Sequence, residues 1–284
     1  MGHHYVPQRY LKGFHSPDKA SHIWMFDKKQ DTSKHLPITV VAQQSGYYEI
    51  EDENSLNLNV EIPGNDVIDK LCLGEQISET EKQELSLYIA TAIRRVPAAR
   101  HKAHAITKQT APVVIAEYRA EIEIARQSQF ASEEQINFFE SAVDNVETEF
   151  TGCPTDEIRK FIETPWPSES WVHAVFIAKW RVLKRTGSSR FLTSDNPATF
   201  FEAYGMNHPD GELIFPLDSN HLLHGSHRRV LNSDIVIIPE RMVKEFNKRT
   251  ASSAHRFVFY HENAGWVLSA SKNHPETFKR TTWT

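Results

Sequence analysis

The chain opens with two histidines, His3 and His4, followed at Gln8 by an amide side chain, in the stretch GHHYVPQRYL. An imidazole titrates near neutral pH, so either histidine can serve as a general acid or base. A second polar group stands at Thr193-Ser194-Asp195-Asn196-Pro197, where a candidate strand ends. Asp195 can orient a histidine, bind a divalent cation or act as a base, with Ser194 and Asn196 supplying hydrogen-bonding groups beside it. Arg95 and Arg181 can hold a phosphate and stabilise developing negative charge. Gln8 and Asn196 carry the paired donor and acceptor that a base edge or a carbonyl requires. Pro7 and Pro197 bias Val6 and Asn196 toward extended backbone. On a strand, His3 and His4 face opposite sides, so only one enters a shared pocket. His4, nearer Pro7 and Gln8, is the preferred base.

Other histidine groups are weaker. His101 and His104 are three apart on an expected helix, a spacing that can share a metal but arises easily by chance. His221, His224 and His227 recur every third residue, which on a strand alternates faces, so joint ligation needs a turn at Gly225. No GxxxxGK[ST], GxGxxG, HExxH or GxSxG occurs, which removes support for nucleotide-binding loops, zincins and the hydrolase elbow. Cys72 and Cys153 form no CxxC pair and no disulfide framework.

These residues must be positioned by a chain of 284 residues, 39% hydrophobic and 24% charged, ordinary for a soluble globular protein. No apolar run approaches the roughly 18 residues that span a bilayer, and the N-terminus has no secretory pattern; the expected localisation is cytoplasmic, with no membrane partner. The net charge is −5, yet Leu85 to Ala116 and Lys179 to Arg190 contain no acidic residue, so a basic groove and ordinary solvated helix faces are both open readings.

Residues 1–50 read as strands and loops, with HIWMFDK (22–28) and PITVVA (37–42) as strands. Residues 51–186 read as helical. Ser78 to Glu81 and Ser132 to Gln135 are capping boxes, Pro97 should kink or break the helix that follows the first, and a further helix is expected over Ser168 to Arg185. Residues 187–284 read as strands RFLTSD (190–195), ELIFPL (212–217), HLLHGS (221–226), SDIVIIPE (233–240) and HRFVFYHE (255–262), with one helix around Arg241 to Ala251. The fold class is α+β: a single domain over 1–284, with a central helical bundle and a small, mostly antiparallel sheet built from both ends of the chain.

HHYVPQRYLKGF, followed in order by IWMFDK (23–28), VVAQQSGYYEI (40–50), IATAIRRVPAAR (89–100), AKWRVLKRTGSSRFLTSDNPATF (178–200), IFPLD (214–218) and Asn247…AHRFVFY (254–260), resembles the bacterial domain-of-unknown-function family DUF4238 over nearly the whole chain. The histidines therefore belong to the domain rather than to a purification tag. The resemblance implies an association with antiphage defence, where toxic effectors and nucleases are common.

From this we expect His3 or His4, Gln8, Ser194, Asp195 and Asn196 to line one cleft bordered by Arg95, Trp180 and Arg181. The expected chemistry is phosphodiester hydrolysis on RNA, in a defence or stress effector. The alternatives are a non-catalytic sensor of a phage or host component, and a hydrolase or transferase acting on a small nucleotide. A purely structural use is also open, with Asp195 and Asn196 bracing a turn and the arginines paired internally. A divalent metal is compatible with these residue types, although no strong ligand motif occurs; the oligomeric state is left open.

Overall fold

The computed structural model describes residues 2–128, 131–151, 160, 162–200, 208, 211–227, 235–263 and 265–272. The chain divides into two compact units, residues 1–97 with 165–284, and residues 98–164.

In the first unit, helix α1 (Gln8–Leu11), α2 (Ile50–Leu56) and α3 (Ile62–Leu73) precede α4 (Glu79–Arg94). Helix α4 starts at the expected capping box, in which Ser78 Oγ accepts the Glu81 amide at 3.2 Å and the Glu81 carboxylate accepts the Ser78 amide at 2.8 Å. It stops before Pro97, which opens the next helix instead of kinking this one. Gly64 lets α3 lie close against α4, since a Cβ there would stand 2.3 Å from the Tyr88 ring.

Two larger sheets and a ribbon replace the single small sheet expected. The ribbon pairs β1 (Gly2–His4) with β4 (Gln43–Ser45). A four-stranded antiparallel sheet, in the order β3 (Thr32–Pro37), β2 (His22–Asp27), β11 (Phe257–Tyr260), β6 (Thr193–Ser194), joins both ends of the chain. A five-stranded sheet comes wholly from the second half: β10 (Ile235–Ile238), β5 (Lys179–Arg185), β9 (His221–Ser226), β8 (Glu212–Pro216), β7 (Thr199–Phe200), with β10 parallel to β5.

Two expected elements change. PITVVA ends strand β3 at Pro37 and turns into a 3-10 helix, Ile38–Val40, because proline has no amide to continue the ladder. The helix expected over Ser168 to Arg185 stops at Ile177 (α7, Glu169–Ile177), and Lys179–Arg185 is the central strand β5. Val182 and Leu183 are both buried there because the sheet is covered on both faces, which erases the alternation that marks a half-exposed strand. Leu183 packs with Ile214, Leu222 and, from α8 (Glu240–Ser253), Val243 and Phe246. Across the other face, Phe215 stacks on Tyr10 of α1 at 5.2 Å and meets Tyr88 of α4 at 6.1 Å.

The second unit holds α5 (Pro97–Ser128) and α6 (Glu133–Thr151), the latter opened by the Ser132–Gln135 box. Arg119–Asp144 and Arg126–Glu140, both 2.7 Å, set them antiparallel. His104, whose spacing from His101 could share a metal but arises easily by chance, has Nε2 3.0 Å from a Glu163 oxygen.

Candidate functional site

Both N-terminal histidines reach one charged network, where strand alternation would admit only one. Tyr5 turns inward and is buried against Tyr47, with Asp195 close enough to act on its phenol. His4 turns the other way, toward Glu61 and Arg95. Pro7 caps α1, so Gln8 stands one turn from His4 and its amide nitrogen reaches the His4 Nδ1 at 3.4 Å. Burial holds the His4 imidazole below its ordinary pKa, against the Thr39 carbonyl and Glu61, with Arg95 adding to the depression. The His3 Nδ1 accepts the Tyr48 amide at 3.0 Å.

Arg95, 2% exposed, pairs with Glu61 at 2.7 Å. The break before Pro97 leaves the Arg95 carbonyl without a helical donor, and the Tyr47 and Tyr48 hydroxyls supply two, at 2.8 and 3.2 Å. Burial would lower the guanidinium pKa, but the Glu61 charge outweighs it and holds Arg95 protonated. Burial and the Glu61 charge push Glu53 upward. The structure thus gathers His3, His4, Gln8 and Arg95 around two glutamates that sequence reasoning missed. The network seats the N-terminal segment, and its one buried cation is already neutralised.

Asp195 does not join them. One of its oxygens accepts the His255 amide at 2.9 Å, and the other accepts those of Arg256 and Phe257 at 2.7 and 2.9 Å. It is 1% exposed, and burial raises its pKa although the three amides oppose the rise. The Ser194 hydroxyl bonds within the turn to the Asn196 backbone, and the Asn196 side-chain amide donates to the Ser253 carbonyl at 3.0 Å. The TSDNP turn therefore fastens β6 to β11 and to the end of α8, a correction to the expected His4–Asp195 cleft. Trp180 and Arg181 do not border such a cleft either. The Trp180 indole donates to the Val175 carbonyl at 3.1 Å, and Arg181 stands across from His224 on β9.

The N-terminal segment lines a hollow at a different loop. Arg9 and Tyr10 of α1, Gly13, one face of α3 (Asn65, Ile68, Asp69, Cys72) and the β8–β9 hairpin (Leu217, Asp218, His221) line a cavity of about 470 Å³. Gly13 makes this approach feasible, because a Cβ there would lie 3.1 Å from the Asp218 Cβ and 3.2 Å from the Leu217 oxygen, and its carbonyl accepts the Ser219 amide at 3.0 Å. The Tyr10 hydroxyl donates to the Pro216 carbonyl at 2.7 Å, pinning α1 to β8.

Asp218 accepts the amides of Asn220 and His221 at 2.6 and 2.7 Å and faces the His221 Nδ1 at 3.1 Å. Burial would push this carboxyl up, but the His221 ring and the two amides outweigh it and hold Asp218 below the usual carboxylate value. His221 is 7% exposed, and its Nε2 has no hydrogen-bond partner among the described residues. Cys72, Asp218 and His221 each bring one donor atom within 4.8 Å of the others. Burial pushes the Cys72 thiol up, and Asp218 adds to it. On the opposite face of β9, His224 stands 3.7 Å from Glu212, which pairs with Arg249 at 3.0 Å, so the 221/224/227 set shares no site.

Over residues 2–264 the sequence matches the family described as "Protein of unknown function (DUF4238)". The chain belongs to the DUF4238 family. In this DUF4238 chain the stretches HHYVPQRYLKGF and IFPLD supply Tyr10, Gly13, Leu217 and Asp218 to the same cavity. No curated protein and no solved structure matches it. The sequence signal of the dyad is the Asp-x-x-His spacing across the loop from Asp218 to His221. No helix among the described residues is long and apolar enough to cross a membrane.

Proposed function

We propose that this DUF4238 protein hydrolyses a phosphoester of a single nucleotide unit in the cavity between α1, α3 and the β8–β9 hairpin. The observation that carries the reading is the His221–Asp218 dyad, whose unpartnered Nε2 belongs to a cavity-lining side chain. In this reading Asp218 holds the Nδ1 proton and fixes the tautomer, and the His221 ring must turn to bring its buried Nε2 to a water, from which it takes a proton. The hydroxide oxygen forms a bond to phosphorus as the ester P–O bond breaks. The imidazolium then returns its proton to the leaving oxygen. Arg9, half-exposed and shared with Asp69, has further N–H donors for a phosphate oxygen.

A volume near 470 Å³ suits one nucleotide. Arg9 is the one Lys or Arg among the described lining residues and already faces a carboxylate, which favours a free nucleotide over a long strand that must be gripped by many phosphates. Action on an RNA end in antiphage defence is the second reading, favoured by the two acid-free basic stretches of the sequence. Purified protein is incubated with a panel of mono-, di-, tri- and cyclic nucleotides and with single-stranded RNA, and products are resolved by chromatography. Turnover of free nucleotide that weakens in Arg9→Ala is expected. RNA cleavage alone would move the assignment to the second reading, and no turnover of either would refute both.

A further inference from the structure

We propose that the same cavity carries a binding site for a zinc-class divalent cation, with Cys72, Asp218 and His221 as its protein ligands. The three residues come from two separate elements, α3 and the β8–β9 hairpin, yet their donor atoms lie within 4.8 Å of one another. In tetrahedral zinc sites, bond lengths of 2.0 to 2.3 Å place ligand atoms roughly 3.5 Å apart, so side-chain rotation of about 1 Å closes the set. The Asp218 oxygen is already 3.1 Å from a His221 ring nitrogen. A thiolate, an imidazole and a carboxylate together select zinc, cobalt or a similar ion over magnesium or calcium. Two anionic ligands balance the ion's charge, and the amides of Asn220 and His221 hold the carboxylate at its Oδ1. Binding releases the thiol proton to solvent.

The site rests on this geometry alone, while its consequence for catalysis rests on the hydrolase reading. A metal on His221 Nε2 occupies the lone pair that the base needs. A metal on Nδ1 displaces that proton, which moves to Nε2 and removes the lone pair equally. Occupancy therefore switches the base off.

The test titrates the full, metal-stripped chain with Co²⁺ and follows the thiolate-to-cobalt absorption band, then displaces cobalt with Zn²⁺. One equivalent is expected to produce the band in wild type and in Cys153→Ser, but not in Cys72→Ser, with affinity also lost in His221→Gln. An absent band, or one that survives Cys72→Ser, overturns the site. Nucleotide turnover is measured in parallel with and without Zn²⁺. Inhibition in wild type that disappears in Cys72→Ser supports the switch, and zinc-insensitive turnover overturns it. A cobalt band without any turnover keeps the site and sinks the hydrolase reading.

Discussion

Removing the Asp195 carboxylate separates a brace from a catalytic group. In Asp195→Ala the amides of His255, Arg256 and Phe257 lose their acceptor at the entry to β11. Each buried donor left without a partner costs about 1–3 kcal/mol. The variant also escapes the desolvation of a buried carboxylate, so the net loss should be about 2–5 kcal/mol. For a unit of this size that lowers Tm by roughly 5–15 °C. The pH dependence has a definite sign. Burial raises the folded-state pKa of Asp195 above its ordinary 3.8, so the folded state binds the proton more tightly than the unfolded state. Its contribution is therefore fullest below 3.8 and declines as pH rises through the raised value, and the gap between wild type and Asp195→Ala widens on acidification. Thermal unfolding by circular dichroism at several pH values, alongside turnover of the remaining folded protein, measures both effects. An Asp195→Ala protein with wild-type Tm and no activity would instead make Asp195 a catalytic group.

Four further outcomes are expected. Gly13→Ala forces a Cβ against the Asp218 Cβ and the Leu217 carbonyl oxygen and should cost about 1–3 kcal/mol by overpacking, with a drop in turnover larger than the fall in Tm explains. Glu61→Gln leaves the buried Arg95 cation without its counter-ion and should destabilise by about 2–4 kcal/mol in chemical denaturation. Tyr10→Phe removes the hydroxyl shared by Pro216 and Thr193 and should cost about 1–2 kcal/mol by the same measurement. Burial depresses the His4 pKa below 6.5, so its stabilisation is present above 6.5 and is lost as pH falls through the lowered value; a Tm-against-pH profile should lose this acid-side decline in His4→Gln.

Local chemistry was readable in the sequence because its causes are local. The two capping boxes, the stop at Pro97 and the strands at 22–27, 212–216 and 257–260 follow from spacing within a few residues. Long-range pairing was not readable. KWRVLKR (179–185) continues an apolar helix in sequence, and only its neighbours β9 and β10 make it a strand. His3, His4, Gln8 and Arg95 were legible as polar residues needing partners, but Glu61 carries no sign of pairing with a guanidinium 34 residues away. Asp195 was legible as important and misread as chemical, because the three amides that consume it lie 60 to 62 residues downstream. His221 was set aside because alternation separates it from His224, while the partner that matters, Asp218, lies across its own hairpin turn.

The most direct test of the hydrolytic assignment is steady-state kinetics of His221→Gln and Asp218→Asn on the best nucleotide, with Asp195→Asn as the comparison. In the first two, kcat should fall about 10²–10⁴-fold with KM nearly unchanged, while folded Asp195→Asn keeps wild-type kcat. Wild-type kcat in His221→Gln would contradict the assignment.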